Sequence, residues 1–304
     1  MSSYLTILGF NSAIPTVKTS PTSQFLEMGE RCFLIDCGEG TQVQLRKAKV
    51  KFSKINHIFI SHLHGDHCFG LPGLISSFQL LGREVPLHIY GPKGIKEMLE
   101  IILRISQTNK GFDLVFHELE SKDSQLIFED HRVEVRTISL QHRIYCNGYL
   151  FKEKPKDRHL NMQEIVKYPE IEICDYHRIK KGENFTLKDG YVLKNEILTK
   201  EAEPSASYAF CSDTRYLESI IPIIQGVDVL YHEATFLHNL KEMADYTGHS
   251  TALEAATIAQ KAHVKRLILG HFSNRYSDLT VFTDEARTIF PNTFLPKALE
   301  MVKI

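Results

Sequence analysis

Three features that would place a chain outside the ordinary globular class are absent from this sequence. No apolar run approaches the roughly 20 residues that a membrane helix needs. Residues 1–6 lack the charged and long apolar regions of a secretory signal peptide. The six cysteines are dispersed and include no Cys-x-x-Cys pair, which is typical of reduced thiols rather than of a disulfide framework. We therefore expect a cytoplasmic protein that does not contact a membrane.

An excess of charge of one sign is also absent. The chain has 304 residues and a formal net charge of −1 at pH 7, so its global charge does not indicate nucleic-acid binding. Two local clusters are basic: residues 46–54, where five cations occur without an acid, and Arg178-Ile179-Lys180-Lys181. Such clusters can bind phosphate groups, although the same pattern is common on solvated faces without a ligand.

Strand-like and helix-like segments alternate along most of the chain. Apolar runs and periodicity predict strands at 5–9, 32–36, 58–60, 87–90, 133–138, 208–212, 227–231 and 266–269. They predict helices at 40–48, 70–81, 93–106 and 251–262. Thr251 and Glu254 have the spacing of a capping box at the start of the last helix. Residues 152–200 instead hold 11 Lys or Arg and 9 Asp or Glu with few apolar runs, and we interpret them as an insertion within a single domain at 1–304.

The most informative motif is the run SHLHGDHCFG at 61–70, directly after a strand-like apolar segment. It places three imidazoles and one carboxylate within six positions, and both groups are zinc ligands. Because His62 and His64 alternate, an extended backbone directs both to one side. Asp66 and His67 can then reach a second ion just beyond. The motif predicts two adjacent metal sites rather than a polar turn.

Three later residues offer further ligands at predicted strand ends. His142, Asp213 and His271 each follow a strand-like segment, and α/β proteins often place functional groups at such positions. Each residue taken alone is weak evidence for a metal ligand, because most of the 15 histidines need no metal role. Cys68 lies beside the first motif, but better ligands surround it, and we interpret it as a packing residue.

Two longer stretches carry a resemblance to a known family. They are Phe33 to Gln42, FLIDCGEGTQ, and Lys51 to Leu74, which contains the metal motif and ends in GLPGL. Together they resemble the short form of ribonuclease Z, the tRNA 3′-processing endonuclease family of the metallo-β-lactamase fold, and the match extends over nearly the whole chain. The resemblance implies an α/β fold, an αββα sandwich of two mixed sheets flanked by helices, with a protruding arm.

In the resembling family, an arm at the place of the 152–200 insertion grips the tRNA elbow. Lys180 and Lys181 fit that role. The family arm often carries a Gly-Pro-rich segment, whereas here the corresponding stretch, Tyr168 to Ile173, has no glycine. The details of how the arm binds are therefore left open by the sequence.

The same resemblance implies two zinc ions per chain. One would be held by His62, His64 and His142, the other by Asp66, His67 and His271, with Asp213 bridging both. Zinc lowers the pKa of bound water to about 7, so the nucleophile would be a hydroxide, and two ions can stabilise the attacking and leaving oxygens. We assign the general-base role to Asp66. Asp36 is expected to orient a metal-binding histidine from outside, the alternative being a residue that only forms the turn before Gly38.

Two further motifs separate this family from other proteins of the fold. They are His232-Glu233-Ala234-Thr235 and Gly248-His249-Ser250-Thr251. In the resembling family the glutamate and the second histidine act as a pair beside the leaving oxygen, so His249, held by Glu233, is expected to donate a proton to the departing ribose oxygen. The alternative is that His249 is an ordinary loop residue. His232 is expected to support the metal ligands from outside.

The predicted function is a zinc-dependent endoribonuclease that removes the 3′ trailer from precursor tRNA, leaving a 3′-hydroxyl on the tRNA and a 5′-phosphate on the trailer. Arg275 and Tyr276 are candidate RNA contacts. The resemblance implies a homodimer. No DNA or membrane partner is expected. Two alternatives remain: another hydrolase of this fold that acts on a small phosphodiester, thioester or lactam, and a non-catalytic RNA-binding scaffold. The sequence leaves open the metal used in the cell and the cut position relative to CCA.

Overall fold

A computed structural model describes residues 2–108 and 111–304. It contains a seven-stranded mixed sheet built mainly from the first half of the chain. Numbered in chain order, its strands are β1 (Tyr4–Gly9), β2 (Ser23–Met28), β3 (Arg31–Ile35), β4 (His57–Phe59), β5 (Leu87–Pro92), β6 (Leu114–Leu119) and the C-terminal β18 (Met301–Lys303). The spatial order is β18-β1-β2-β3-β4-β5-β6. Strands β3 to β6 are parallel, and the remaining neighbours are antiparallel.

A second seven-stranded mixed sheet is built mainly from the second half of the chain. Its strands are β7 (Leu126–Glu129), β8 (Val133–Leu140), β9 (Cys146–Glu153), β14 (Ser207–Cys211), β15 (Val229–Glu233), β16 (Arg266–Gly270) and β17 (Thr293–Phe294). The spatial order is β17-β16-β15-β14-β9-β8-β7. Strands β14 to β17 are parallel, so their carboxyl ends lie at the same edge of the sheet.

Helices accompany both sheets. They are α1 (Thr41–Lys47), α2 (Gly65–Cys68), α3 (Leu71–Leu80), α4 (Ile95–Ile105), α8 (Lys241–Thr247), α9 (Ala252–Lys261) and α10 (Thr280–Arg287), with 3₁₀ turns at Phe52–Lys54, Glu218–Ile220 and His238–Leu240. The predicted capping box at the start of α9 is confirmed, because the Glu254 carboxylate accepts from the Thr251 backbone N–H and the Thr251 hydroxyl accepts from that of Glu254. None of the described helices is long and apolar enough to cross a membrane.

Alternation along the strands creates the layers. In β3, Phe33 and Ile35 belong to an apolar cluster shared with strands of the second sheet, among them Phe151 of β9. Leu34, between them, instead packs in a cluster with Leu74 of α3. Since neighbouring residues of a strand point to opposite faces, one face of the sheet meets the other sheet and the opposite face meets helices. The predicted αββα order of layers is confirmed.

Residues Lys154–Ser205 form a compact unit of their own, separate from the unit made of 1–153 and 206–304. The smaller unit contains β10 (His159–Leu160), β11 (Phe185–Thr186), β12 (Val192–Leu193), β13 (Thr199–Lys200), α5 (Met162–Ile165), α6 (Tyr176–Lys180), α7 (Asn195–Leu198) and a 3₁₀ turn at Ile173–Asp175. Its own apolar core is made of Ile165, Ile171, Ile179, Leu193 and Leu198. The division of 1–304 into one domain with an inserted arm at 152–200 stays a prediction.

Three histidines form a row on neighbouring parallel strands of the first sheet. His57 of β4 stacks on His88 of β5 with ring centroids 5.0 Å apart. A ring nitrogen of His88, Nδ1, lies 3.1 Å from Nε2 of His117 in β6. Burial, and then the neighbouring His88 and His117, lower the pKa of His57 to about 4, while Asp130 and Arg31 act on the same ring in opposite directions. The row is therefore built for neutral imidazoles.

Replacing His57 with phenylalanine should make the free energy of unfolding less dependent on pH between about 6.5 and about 4. The folded-state pKa of about 4 lies below the unfolded value of about 6.5, so the unfolded chain binds more protons in this window. The contribution of His57 is therefore fully present above the window and is lost as the pH falls, by about 3 kcal/mol at most.

Chemical unfolding at about pH 7 and about pH 4.5 measures this difference. The exposed His131, replaced by phenylalanine, provides the matched control. The idea is wrong if the parent protein and His57→Phe lose the same stability between the two pH values.

Candidate metal centre

The His-x-His-x-Asp-His motif lies where the chain leaves β4 and enters α2. His62 and His64 occupy the extended segment before the helix, and Asp66 and His67 lie within its four residues. The backbone at His64 is extended and becomes helical from Gly65 onward. This change of conformation separates the two pairs of side chains.

The three later candidate ligands also follow strands. His142 comes after β8, Asp213 after β14 and His271 after β16. The parallel register of β14, β15 and β16 places the residues that follow these strands side by side. The structure thus brings together all seven residues that the sequence singled out as candidate ligands.

The first group of possible ligands consists of His62, His64, His142 and Asp213. The Nδ1 atom of His64 lies 2.9 Å from Nε2 of His62 and 3.3 Å from Nε2 of His142. One carboxylate oxygen of Asp213, Oδ2, lies 3.5 Å from Nε2 of His62 and 3.7 Å from Nε2 of His142. Four possible ligand atoms, three nitrogens and one oxygen, therefore surround one point at which a metal ion could bind.

The second group consists of Asp66, His67 and His271, and it meets the other oxygen of Asp213. The Nε2 atoms of His67 and His271 lie 3.3 Å apart, and Oδ2 of Asp66 lies 3.6 and 3.4 Å from them. Oδ1 of Asp213 lies 3.4 Å from Nε2 of His67 and 3.1 Å from Nε2 of His271. Asp213 thus presents one oxygen to each group.

Both groups fit metal ions in chemistry and in spacing. Imidazole nitrogen and carboxylate oxygen bind zinc at about 2.0–2.2 Å in a tetrahedron, which puts neighbouring ligand atoms about 3.3 Å apart. The separations of 2.9–3.7 Å in the first group and 3.1–3.6 Å in the second bracket that value. The ligand atoms are therefore already arranged around two points, one on each side of Asp213.

Hydrogen bonds to the outer ring nitrogens hold the histidines in place. Nδ1 of His67 donates to Oδ2 of Asp36 at 2.7 Å, and that carboxylate also accepts from the backbone N–H and the hydroxyl of Ser61. Nδ1 of His142 donates to the carbonyl oxygen of Gly248 at 2.8 Å. Such contacts fix the tautomer and the ring orientation of a metal-binding histidine. Asp36 therefore contacts a candidate ligand from outside, and its role in orienting a metal-binding histidine stays a prediction.

Three residues of the site have left-handed backbone conformations. The φ angles are 55° at Asp36, 60° at Asp213 and 58° at His271, and positive φ is uncommon for residues other than glycine. The backbone N–H of Asp36 donates to the carbonyl of Phe59, and that of His271 to the carbonyl of Phe10. These bonds hold a conformation that turns the chain sharply at each strand end, as is frequent at functional sites.

Mutual attraction controls the charges inside the site. Burial would raise the pKa of Asp213, but His271, His67 and His62 hold it well below its usual value. Burial would lower the pKa of His67, but Asp213 and then Asp36 raise it well above its usual value. In His62, burial and the nearby His67 lower the pKa. Asp213 is therefore an ionised carboxylate, the form that a metal ligand requires.

Glu233 and His249 form a buried pair beside the candidate ligands. Oε1 of Glu233 accepts from Nδ1 of His249 at 2.8 Å and from the backbone N–H of Thr214 at 2.8 Å. Burial opposes the charged ring, but the Glu233 carboxylate outweighs it and raises the pKa of His249 to about 9. The His249 ring lies 5.1 Å from the ring of His142 and 5.3 Å from that of His271. A protonated imidazole is thus held next to the two groups of candidate ligands.

The remaining predicted residues are placed as follows. His232 is buried, donates from Nδ1 to the carbonyl of Glu233, and has no partner at Nε2 among the described residues. Arg275 is exposed over the ring of Phe236. The Tyr276 hydroxyl accepts from the backbone N–H of Leu237. Lys180 and Lys181 end α6 in the Lys154–Ser205 unit. The roles expected for these residues stay predictions.

One contact to the second group was not foreseen from the sequence. The backbone N–H of Ala13 donates to Oδ2 of Asp66 at 2.8 Å. The Asn274 side chain holds this turn, because its amide donates to the carbonyls of Ser12 and Ile14 at 3.4 and 3.2 Å. A backbone donor leaves no mark on a sequence, since every residue except proline offers the same N–H group.

Comparison with solved structures identifies the class of protein. The chain is similar to the short form of human tRNase Z, with 27% identity, a TM-score of 0.71 and 98% of both chains covered. It is also similar to the metallo-β-lactamase fold protein YhfI from Bacillus subtilis, with 18% identity, a TM-score of 0.70 and 100% of both chains covered. The two sheets and their flanking helices are those of the metallo-β-lactamase fold.

Comparison with other sequences identifies the family. A relative from Bacteroides thetaiotaomicron named ribonuclease Z is 47% identical over 96% of this chain and 92% of its own length. Another of that name, from Parabacteroides distasonis, is 47% identical over 96% and 95%. Residues 3–154 also fall within the family whose model is described as "Anti-Pycsar protein Apyc1". The chain belongs to the ribonuclease Z family, which confirms the predicted ribonuclease Z-type endoribonuclease.

Replacing Asp36 with asparagine should weaken metal binding about 10- to 100-fold. Asp36 accepts three donors, from the backbone and hydroxyl of Ser61 and from Nδ1 of His67. The amide group of asparagine would face one of these donors in either orientation, so His67 would lose its fixed position. Competition with a chromophoric chelator measures the affinity, and Asp278→Asn, at an exposed residue, is the control. Unchanged affinity in Asp36→Asn would remove Asp36 from the support of the site.

Proposed function

We propose that the protein is a zinc-dependent endoribonuclease that removes the 3′ trailer from precursor tRNA, leaving a 3′-hydroxyl on the tRNA and a 5′-phosphate on the trailer. The observation that carries the proposal is the arrangement of seven ligand-type residues around Asp213 with the Glu233–His249 pair beside them. Family membership supports the reaction class, and the similar human protein is named for action on tRNA.

The seven residues would hold two zinc ions. His62, His64 and His142 would bind one, Asp66, His67 and His271 the other, and Asp213 both. When bound, the ions would activate a water molecule and neutralise the charge that develops on the phosphate. The nitrogen and oxygen ligand set without sulfur suits zinc and also other divalent metals, so the identity of the metal is part of the proposal.

The proposed proton transfers use residues whose positions are known. Asp66 would accept a proton from the attacking water, and the N–H of Ala13 at its Oδ2 keeps the carboxylate oriented. His249 would donate a proton from Nε2 to the departing ribose oxygen, because its Nδ1 is bound to Glu233. The attacking water oxygen loses a proton to the base, and the departing ribose oxygen gains one from the acid. Neither oxygen then has to carry an unstable charge.

Cleavage of a labelled precursor tRNA that carries a 3′ trailer tests the proposal. The parent protein should give a single cut at the end of the acceptor stem, and mapping the product end locates the cut relative to CCA. Asp66→Ala should abolish the cut, because the base and one ligand are removed together, whereas the exposed Asp278→Ala should not. Zinc content is recorded for each protein. A metal-loaded protein that hydrolyses bis-p-nitrophenyl phosphate but leaves precursor tRNA intact would contradict the proposed substrate.

Replacing His249 with alanine should separate the two proton transfers. Cleavage of precursor tRNA should fall about 10²- to 10⁴-fold, the usual contribution of a general acid. Hydrolysis of bis-p-nitrophenyl phosphate should change little, because p-nitrophenolate leaves without protonation. Zinc content should stay as in the parent, and His131→Ala serves as the exposed control. Equal losses on both substrates would show that His249 is not the acid.

The Lys154–Ser205 unit is the proposed tRNA-binding arm. It has its own apolar core, and Lys180 and Lys181 lie at the end of its helix α6. Replacing both lysines with alanine should raise KM for precursor tRNA and reduce its dependence on salt, because phosphate contacts release counterions. KM for bis-p-nitrophenyl phosphate should not change, and a double arginine variant should behave as the parent. Unchanged KM for precursor tRNA would remove these lysines from the interface.

A homodimer is also part of the proposal. Large apolar side chains on α3 and α4 are exposed, among them Leu80 at 85% and Ile105 at 73%. Exposed apolar surface of this kind is typical of protein interfaces. A monomer in light scattering at micromolar concentration would contradict the dimer without affecting the proposed reaction.

A further inference from the structure

One side chain that the proposed reaction does not use joins the proton donor to the metal ligands. Thr235 is buried, with 3% of its surface exposed. Its hydroxyl oxygen lies 2.7 Å from Oε2 of Glu233 and 3.0 Å from Nδ1 of His271. A single hydroxyl therefore contacts both the carboxylate that holds His249 and a candidate metal ligand.

The direction of these two hydrogen bonds follows from the surrounding donors. Glu233 accepts backbone N–H bonds at both oxygens, from Thr214 at Oε1 and from Thr235 at Oε2. The carboxylate is thus an acceptor on both sides, and the single hydroxyl proton of Thr235 goes to Oε2 at 2.7 Å. The hydroxyl oxygen then accepts from Nδ1–H of His271. With Nδ1–H directed at Thr235, His271 presents Nε2 to the group of Asp66 and His67.

We propose that Thr235 is a positioning residue whose one hydroxyl fixes His271 as a metal ligand and, at the same time, fixes Glu233 as the partner of His249. This inference rests on the proposed metal-dependent function. An acceptor at the outer nitrogen of a metal-binding histidine contributes about 10- to 100-fold in metal affinity. Thr235 supplies that acceptor for His271, as Asp36 supplies it for His67.

The effect of losing the hydroxyl should be confined to one metal group. His271 belongs to the group with Asp66 and His67, whereas the group of His62, His64 and His142 has its own outer contacts, such as Gly248 for His142. The hydrogen bonds described for the Thr235 side chain lead to Glu233 and His271 alone. A general loosening of the fold would instead weaken both groups.

The same hydroxyl also restrains the acid. Glu233 accepts four hydrogen bonds, two at Oε1 from Thr214 and His249 and two at Oε2 from the N–H and hydroxyl of Thr235. Loss of the hydroxyl leaves Oε2 with only the backbone N–H. The carboxylate can then rotate, and the His249 ring loses its fixed direction. The expected consequence is a lower kcat for precursor tRNA with little change in KM.

The test compares Thr235→Val, which keeps the shape without the hydroxyl, with Thr235→Ser, which keeps the hydroxyl. The matched control is Thr137→Val, because Thr137 is a buried strand threonine whose hydroxyl accepts from the backbone N–H of Gln125. Metal-free protein is titrated with Co²⁺ in competition with a chelator, and visible absorption follows the two binding steps. Thr235→Val should weaken one step about 10- to 100-fold and leave the other unchanged. Thr235→Ser and Thr137→Val should match the parent in both steps.

Three results would overturn the inference. They are two unchanged binding steps in Thr235→Val, two equally weakened steps, and a serine variant as poor as the valine variant. If Thr235→Val does not fold, Thr235→Ala is titrated and judged by the same criteria. The titration uses no RNA, so it tests the role of Thr235 separately from RNA cleavage. A parent protein that binds two Co²⁺ ions but does not cut precursor tRNA would refute the proposed function, and the titration of the Thr235 variants would still decide the role of Thr235.

Discussion

The rest of the site depends on the carboxylate of Asp213. It is buried, and its two oxygens lie 3.1–3.7 Å from the ring nitrogens of four histidines, two on each side. An isolated carboxylate at this depth would be unstable, because burial strongly disfavours the charged form. The surrounding imidazoles hold it ionised in this structure, and bound cations would do so more strongly. The two metal groups therefore share one charge and are best understood as a single site.

The packing between the sheets determines whether this site can form. The metal motif follows β4 in the first sheet, whereas Asp213 follows β14 in the second. Two hydrogen bonds join the sheets directly before the motif: the Tyr149 hydroxyl donates to the carbonyl of Ile60 at 2.5 Å, and the backbone N–H of Asn147 donates to that of Ser61 at 3.0 Å. Protein interiors transmit displacements. Substitutions between the two sheets should therefore move the candidate metal ligands, even though no side chain in this layer is itself a ligand.

The sequence predicted what depends on residue type and spacing, and it missed what depends on contacts between distant segments. The ligand motif and the α9 capping box are local patterns, and both lie where they were expected. Strand β9 was missed because nearly all its residues are buried, so the alternation that marks a half-buried strand is absent. The predicted strand at 227–231 lies at 229–233 instead. Two contacts have no signal in the sequence. The contact of Ala13 with Asp66 is made by a backbone N–H, and the Thr235 hydroxyl reaches His271, which lies 36 residues away in the chain.

Six histidines lie together at the site, five of them in the two groups of candidate ligands, and the Glu233–His249 pair distinguishes the sixth. A ring nitrogen of His249 lies within 4.8 Å of the ligand atoms of Asp213 and His271, so His249 is close enough to compete for a metal. Glu233 occupies its Nδ1 and raises the pKa of the ring to about 9. Near neutral pH and without a metal, the ring then carries protons on both nitrogens. The carboxylate of Asp36 holds Nδ1 of His67 in the same way, so the proposed division of roles, with His249 as the proton donor and His67 as a ligand, depends on the positions of the two rings as well as on their charge.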